Sequence, residues 1–255
     1  MAAVSHRLFA RTARTRRVRA RALQAATART LEALETRVLL TSTWTSLGSG
    51  DWNVAGNWSG TQVPTAADDV VISSSGITVT VSDTRAAHSI QLSAGASLKV
   101  TGDLTLSTNS TFDGGVSLEG GTLQLEGGSF TLNGGASLTS GKINFRGSTI
   151  INNGTMTIAG SGVLYASWGP NNLGGTLDNK GAIQQAGSMT LYDSVVIKNE
   201  SLYDFTADGA LLAFGNFSSM LQNAADVVDR VGPGRRAAHG QLVCSEDRQR
   251  GGDLH

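Results

Sequence analysis

Gly114–Gly141 reads GGVSLEGGTLQLEGGSFTLNGGASLTSG. Four glycine pairs, Gly114-Gly115, Gly120-Gly121, Gly127-Gly128 and Gly134-Gly135, recur every six or seven residues, and Gly141 closes the run. Between them lie short alternating segments: Val116-Ser117-Leu118, Leu123-Gln124-Leu125, Phe130-Thr131-Leu132. Strict alternation is the period of a β-strand with one buried face. Six or seven residues hold one such strand and one tight turn. Three units make about 20 residues, the size of one coil of a three-sided parallel β-helix.

A longer register points the same way. Asn153-Gly154, Asn179-Lys180-Gly181, Asn199-Glu200-Ser201 and Asn223-Ala224-Ala225 place asparagines 26, 20 and 24 residues apart, each between apolar strands. Asn and Gly tolerate the positive φ that sharp corners need. Asparagines stacked in successive coils would hydrogen-bond along the axis as an amide ladder. The fold expected is therefore all-β, a right-handed parallel β-helix of three sides, with its repeat body at 113–223. At 20–24 residues per coil, residues 64–223 make roughly seven coils. A β-sandwich of short strands is the alternative, and the even glycine spacing argues against it.

The segment 44–112 reads as entry and capping strands. Ile77-Thr78-Val79-Thr80-Val81 alternates, and Ile90/Leu92, Leu98/Val100 and Leu104/Leu106 continue the pattern. A first coil exposes a strand edge and an open core. Trp44, Trp52 and Trp58 stand there. They suit a cap over the core mouth, and carry a second reading as a carbohydrate-contact platform. Asp68 and Asp69 are oxygen donors of the kind hard cations take. Successive strand residues face opposite ways, however, so solvated turn carboxylates are the expectation and no metal site is assigned.

The charge is segregated. Residues 1–40 hold nine Arg, two Glu and no glycine, a net of +7. Residues 41–223 hold six Lys/Arg against thirteen Asp/Glu, a net of −7, with 27 of the 32 glycines. An acidic body repels phosphate, so no nucleic-acid partner is expected. Residues 1–43, with Arg7, Arg11, Arg14, Arg16, Arg17, Arg19, Arg21 and Arg29, read as a helical or disordered export leader. Residues 224–255 lose the alternation and read as a disordered or out-of-frame tail. Cys244, the one cysteine, falls in that tail, so no disulfide forms within the chain. No apolar run is long enough for a transmembrane segment.

Leu31, Glu32, Leu34, Glu35, Arg37, Leu39 and Leu40 within LEALETRVLL resemble the LEPR-XLL segment found near the start of large bacterial surface or exported proteins. Ala33 replaces the usual proline. Trp52, Asn57-Trp58-Ser59 and Val63-Pro64-Thr65-Ala66-Ala67-Asp68-Asp69-Val70-Val71-Ile72 resemble the opening of bacterial β-helical surface regions of the autotransporter and adhesin type, and are similar to the start of a G8-type β module. These resemblances imply export to the cell surface or the extracellular space.

Chemistry is scarce. His88 stands alone, and Asp103, Asp113, Asp178, Asp193, Asp204 and Asp208 are spread along the repeats. No catalytic residues and no cofactor are assigned. The function expected is a structural or adhesive β-solenoid segment acting by multivalent display, with a cell-surface or extracellular polysaccharide or protein as partner. The alternative is a carbohydrate-binding or polysaccharide-active, pectin-lyase-like β-helix.

Overall fold

The computed structural model describes residues 40–165, 173–214, 219–229 and 242–243. The chain divides into 1–39 and 40–255, and the expected basic leader lies outside the described residues up to Leu39. Leu40–Thr43 is already a strand, pairing in parallel with Asp68–Val71. The expected boundary at 43 thus moves forward: these four residues join the first face of the solenoid.

From there the chain winds as a parallel β-solenoid. One face stacks Asp68–Ile72, Ser89–Leu92, Ser110–Phe112, Ser129–Leu132, Thr149–Asn152, Gly175–Asn179, Val195–Asn199 and Met220–Asn223. These eight strands are seven steps apart, which matches the coil number read from the repeats. A second face begins with Gly50–Asp51, Thr78–Val81 and Ser97–Val100, and a third with Thr84–Ala87 and Asp103–Leu106. Three long strands, Gly115–Leu125, Ala136–Asn144 and Thr155–Tyr165, run through the corner and serve both faces. That continuity joins the second and third faces into one 13-stranded sheet. Ala182–Gln185, Leu202–Phe205 and Asp226–Asp229 complete the second face; Met189–Tyr192 and Leu211–Phe214 complete the third.

The alternation does what its period demands. Val116, Leu118, Leu123, Leu125, Phe130 and Leu132 are all buried, while Ser117, Gln124 and Thr131 between them are not. Each fully buried aliphatic side chain contributes about 1.5–3 kcal/mol. One inward column reads Ile72, Leu92, Phe112, Leu132, then Asn152, Asn179, Asn199, Asn223. Halfway along the solenoid it changes from hydrocarbon to amide. Asn152 Nδ2 donates to Asn179 Oδ1 at 2.7 Å, Asn179 Nδ2 to Asn199 Oδ1 at 2.7 Å, and Asn199 Nδ2 to Asn223 Oδ1 at 2.8 Å. The expected ladder exists, with one correction: its first member is Asn152. Asn153 points outward and donates to Asn133, which donates to Asp113.

The glycines also differ from expectation in part. Gly120 does sit at φ 110 in the bulged corner. Gly134, Gly154 and Gly181 do not need positive φ. A Cβ on each would lie 2.3, 2.1 and 2.0 Å from the carbonyl oxygen of Gly114, Gly134 and Gly154 in the coil before. Glycine here permits close stacking of coil on coil.

The tail boundary moves as well. Asp226–Asp229 pairs in parallel with Leu202–Phe205, so the β-branched pair Val227-Val228 carries the fold past 223. Leu242–Val243 pairs antiparallel with Met220–Leu221 on the first face. Those two residues are strand, against the expectation of a wholly disordered tail. Cys244 and the rest of 230–255 lie outside the described residues.

Candidate functional site

The outer surface of the third face carries two columns. One runs Thr122, Lys142, Val163, Thr190, Leu212; the other runs Gln124, Asn144, Tyr165, Tyr192, Phe214. Their inward neighbours Leu123, Ile143, Leu164 and Leu191 anchor the strands in the core. The face is polar in its early coils and turns aromatic from Tyr165 onward.

At that transition lies a concavity of about 690 Å³, lined by Lys142, Asn144, Arg146, Val163, Tyr165, Tyr192 and Asp193. This is the size of a small-ligand pocket. Tyr192 is stacked on Phe214 with ring centroids 5.7 Å apart. On its other side stands Tyr165, its partner in register. Burial, and then the negative charge of Asp103, hold the Tyr165 phenol above its ordinary pKa, so it stays a neutral donor.

The polar wall is tightly held. Asn144 is only 8% exposed, and its Oδ1 has no hydrogen-bond partner. Such a group keeps its desolvation cost until a donor arrives. Arg146 Nη1 pairs with Glu126 Oε1 at 2.7 Å, one coil away. Arg146 and Asp193 sit at φ 43 and φ 58, two of the four non-glycine residues at positive φ among the described residues. Each such position costs about 1–3 kcal/mol, and such strain gathers at functional sites.

The residues singled out in the sequence fall elsewhere. Trp44, Trp52 and Trp58 are 2%, 0% and 1% exposed. Trp58 meets Trp44 and Trp52 edge-on at 5.0 and 4.8 Å, and donates from Nε1 to the Trp52 carbonyl at 2.7 Å. Stacking a sugar needs an open ring face, and these three offer almost none. Asp68 accepts from the Thr65 backbone N–H and hydroxyl, closing a turn. His88 is not alone: its Nδ1 lies 2.9 Å from Asp69 Oδ1, which also accepts from the Ser89 hydroxyl. Those two hydrogen bonds, Ser89 first, hold the Asp69 carboxyl below the usual carboxylate range. Serine and histidine converge on one carboxylate oxygen, which ties the start of Ser89–Leu92 to Asp68–Ile72.

Of the scattered aspartates, Asp103 accepts from the Thr122 N–H, Asp113 from Asn133, and Asp178 lies beside Lys180 and Lys198. Asp204 is buried on the second face and Asp208 is exposed. Only Asp193 enters the concavity. Lys142, Asn144, Arg146, Tyr165 and Tyr192 escaped the sequence reading. A signal did exist: Val163-Leu164-Tyr165, Thr190-Leu191-Tyr192 and Leu212-Ala213-Phe214 each put an aromatic at the same outward position.

Fold and surface define a parallel β-solenoid. Residues 43–163 match a family described as a domain of unknown function (DUF8693). The match covers the tryptophan cluster and the hydrocarbon-cored coils, and ends two residues before Tyr165. Comparison with curated proteins and with solved structures found no match.

Proposed function

We propose that the chain is a structural and adhesive β-solenoid segment of an exported or cell-surface protein, acting without catalysis. The observation that carries this reading is the repetition of outward columns at strand spacing, with the aromatic series Tyr165, Tyr192, Phe214 in three successive coils of one face. Weak contacts repeated on a stiff scaffold combine through effective concentration. An extracellular or cell-surface polysaccharide or protein is the partner such a surface serves. The buried tryptophan cluster favours a cap at the first coil over a sugar platform. Export rests on the Arg-rich leader and on the LEPR-XLL resemblance of Leu31–Leu40. Among the described residues, no helix is long and apolar enough to cross a membrane.

The test is to express the full chain in its native host with a short epitope in the exposed 47–49 loop and to label intact cells. Surface or medium-borne epitope supports the reading. An epitope reached only after lysis refutes it.

A further inference from the structure

The geometry points to a saccharide-binding site for uncharged hexose units on the third face, in the concavity that Tyr165 and Tyr192 line. A pyranose ring has an apolar C–H face and a rim of hydroxyls, so its receptor needs an aromatic surface beside planar polar groups. The concavity has both. Tyr165 and Tyr192 are register partners, and both line it. Phe214 backs Tyr192 from the far side and holds its ring.

The polar groups fit hydroxyls. Asn144 Oδ1 is a buried acceptor lacking a donor, which a sugar O–H supplies. Asp193 offers two acceptor oxygens, and Lys142 and Arg146 offer donors. Arg146 and Asp193 both hold positive φ just past the ends of third-face strands, two coils apart along the same corner of the solenoid, and both line the hollow.

Charge selects among sugars. Lys142 and Arg146 are balanced by Asp193 in the wall and by Glu126, which pairs with Arg146. The lining alone carries a net charge of +1, and Glu126, outside the lining but paired with Arg146, brings the group to zero, which suits a neutral hexose chain better than a uronate. The inference deepens the adhesive reading by naming the ligand class, and rests on that reading only for where the ligand is met.

The experiment presents purified full-length protein to immobilised cellohexaose, mannohexaose, galactohexaose and hexagalacturonate, with near-native circular dichroism and an unchanged Tm as the folding check. Wild type should retain at least one neutral hexamer. Tyr165→Ala should weaken that binding about tenfold or more, the loss of one stacked ring. Lys142→Ala, at an exposed position, should weaken it several-fold and serves if Tyr165→Ala misfolds. Folded wild type that binds no neutral hexamer overturns the inference. So does binding confined to hexagalacturonate, or binding unchanged in the folded variants. Failure of cell-surface labelling with glycan binding intact would sink the display reading and leave this site standing; the reverse outcome would do the opposite.

Discussion

Replacing Asn179 by leucine and replacing Asn152 by leucine should have very different costs, although both asparagines are fully buried in the same column. Asn179 sits mid-ladder. It accepts from Asn152 Nδ2, and donates to Asn199 Oδ1 and to the Leu202 carbonyl at 2.9 Å. Leucine there strands an Asn152 N–H and the Asn199 Oδ1 in a dry core. Each orphaned buried group costs about 1–3 kcal/mol, so the loss is about 2–6 kcal/mol before any gain from the added hydrocarbon. Asn152 heads the ladder. The residue stacked before it is Leu132, and its own Oδ1 already lacks a partner. Asn152→Leu removes that orphan and creates one other side-chain orphan, Asn179 Oδ1, for a net cost of about 1 kcal/mol. The triple variant Asn152→Leu/Asn179→Leu/Asn199→Leu extends the hydrocarbon column by three coils and strands one side-chain acceptor, Asn223 Oδ1, while the Ala182, Leu202, Ser201 and Asp226 carbonyls lose their amide donors. It should cost far less than the sum of its parts, since neighbouring sites do not add. Urea unfolding followed by far-UV circular dichroism measures all three. An Asn152→Leu loss equal to or above that of Asn179→Leu, or an additive triple, would refute the reasoning.

Gly154→Ala places a Cβ 2.1 Å from the Gly134 carbonyl oxygen, a backbone atom that cannot swing aside, and should destabilise by more than about 2 kcal/mol. Gly56→Ala, with nothing within 4 Å, is the matched control and should leave Tm within about a degree or two. Asp69 has a folded pKa below its unfolded value, so its contribution is present above about pH 4 and is lost as pH falls through the folded pKa. The stability gap between wild type and Asp69→Asn should therefore shrink from about pH 6 to about pH 3; a constant gap would show that the Ser89 and His88 contacts do not discriminate the charged form. An apolar void of about 40 Å³ lies among Leu98, Val116, Leu118, Phe130, Ala136 and Met156. Ala136→Val should fill part of it and raise stability by about 0.5–1.5 kcal/mol in the same urea titration, while a lower midpoint would mean that the surrounding coils leave no room.

Parity explains both what was legible and what was missed. In a strand the side chains alternate, so once Leu118 and Leu125 are known to face inward every neighbour is assigned. Applied from Ile150, that rule sends Asn152 in and Asn153 out. Reading the Asn-Gly dipeptide as a corner signal picked Asn153 instead, one residue off, and a one-residue slip exchanges core for surface. The glycines were visible, but their reason was not. Close approach of Gly134 to the Gly114 carbonyl depends on which coil lies beside which, and positive φ is only the local half of that account. The concavity was hidden for the same cause. Lys142, Tyr165 and Tyr192 are neighbours only because steps of 21 and 27 residues stack them, and the tryptophans drew attention by type alone.

The longest of these steps gives the site its place. From Thr111 through Thr131 to Ile151 the first face advances by 20 residues per coil, which leaves no chain to spare beyond three strands and three turns. From Thr149 to Thr176, and from Gly162 to Met189, the step is 27. The same coil is where the inward column turns from Leu132 to Asn152 and the outward column from Asn144 to Tyr165. A hydrocarbon column tolerates small slips of one coil over the next, because dispersion is non-directional. An amide ladder does not, since each 2.7–2.8 Å bond fixes its neighbour. The step lengthens there while the strands on either side keep their parallel register. Directional hydrogen bonds inside that coil fix the register a second time, and the aromatic surface outside it then has a rigid base on which to hold a ligand.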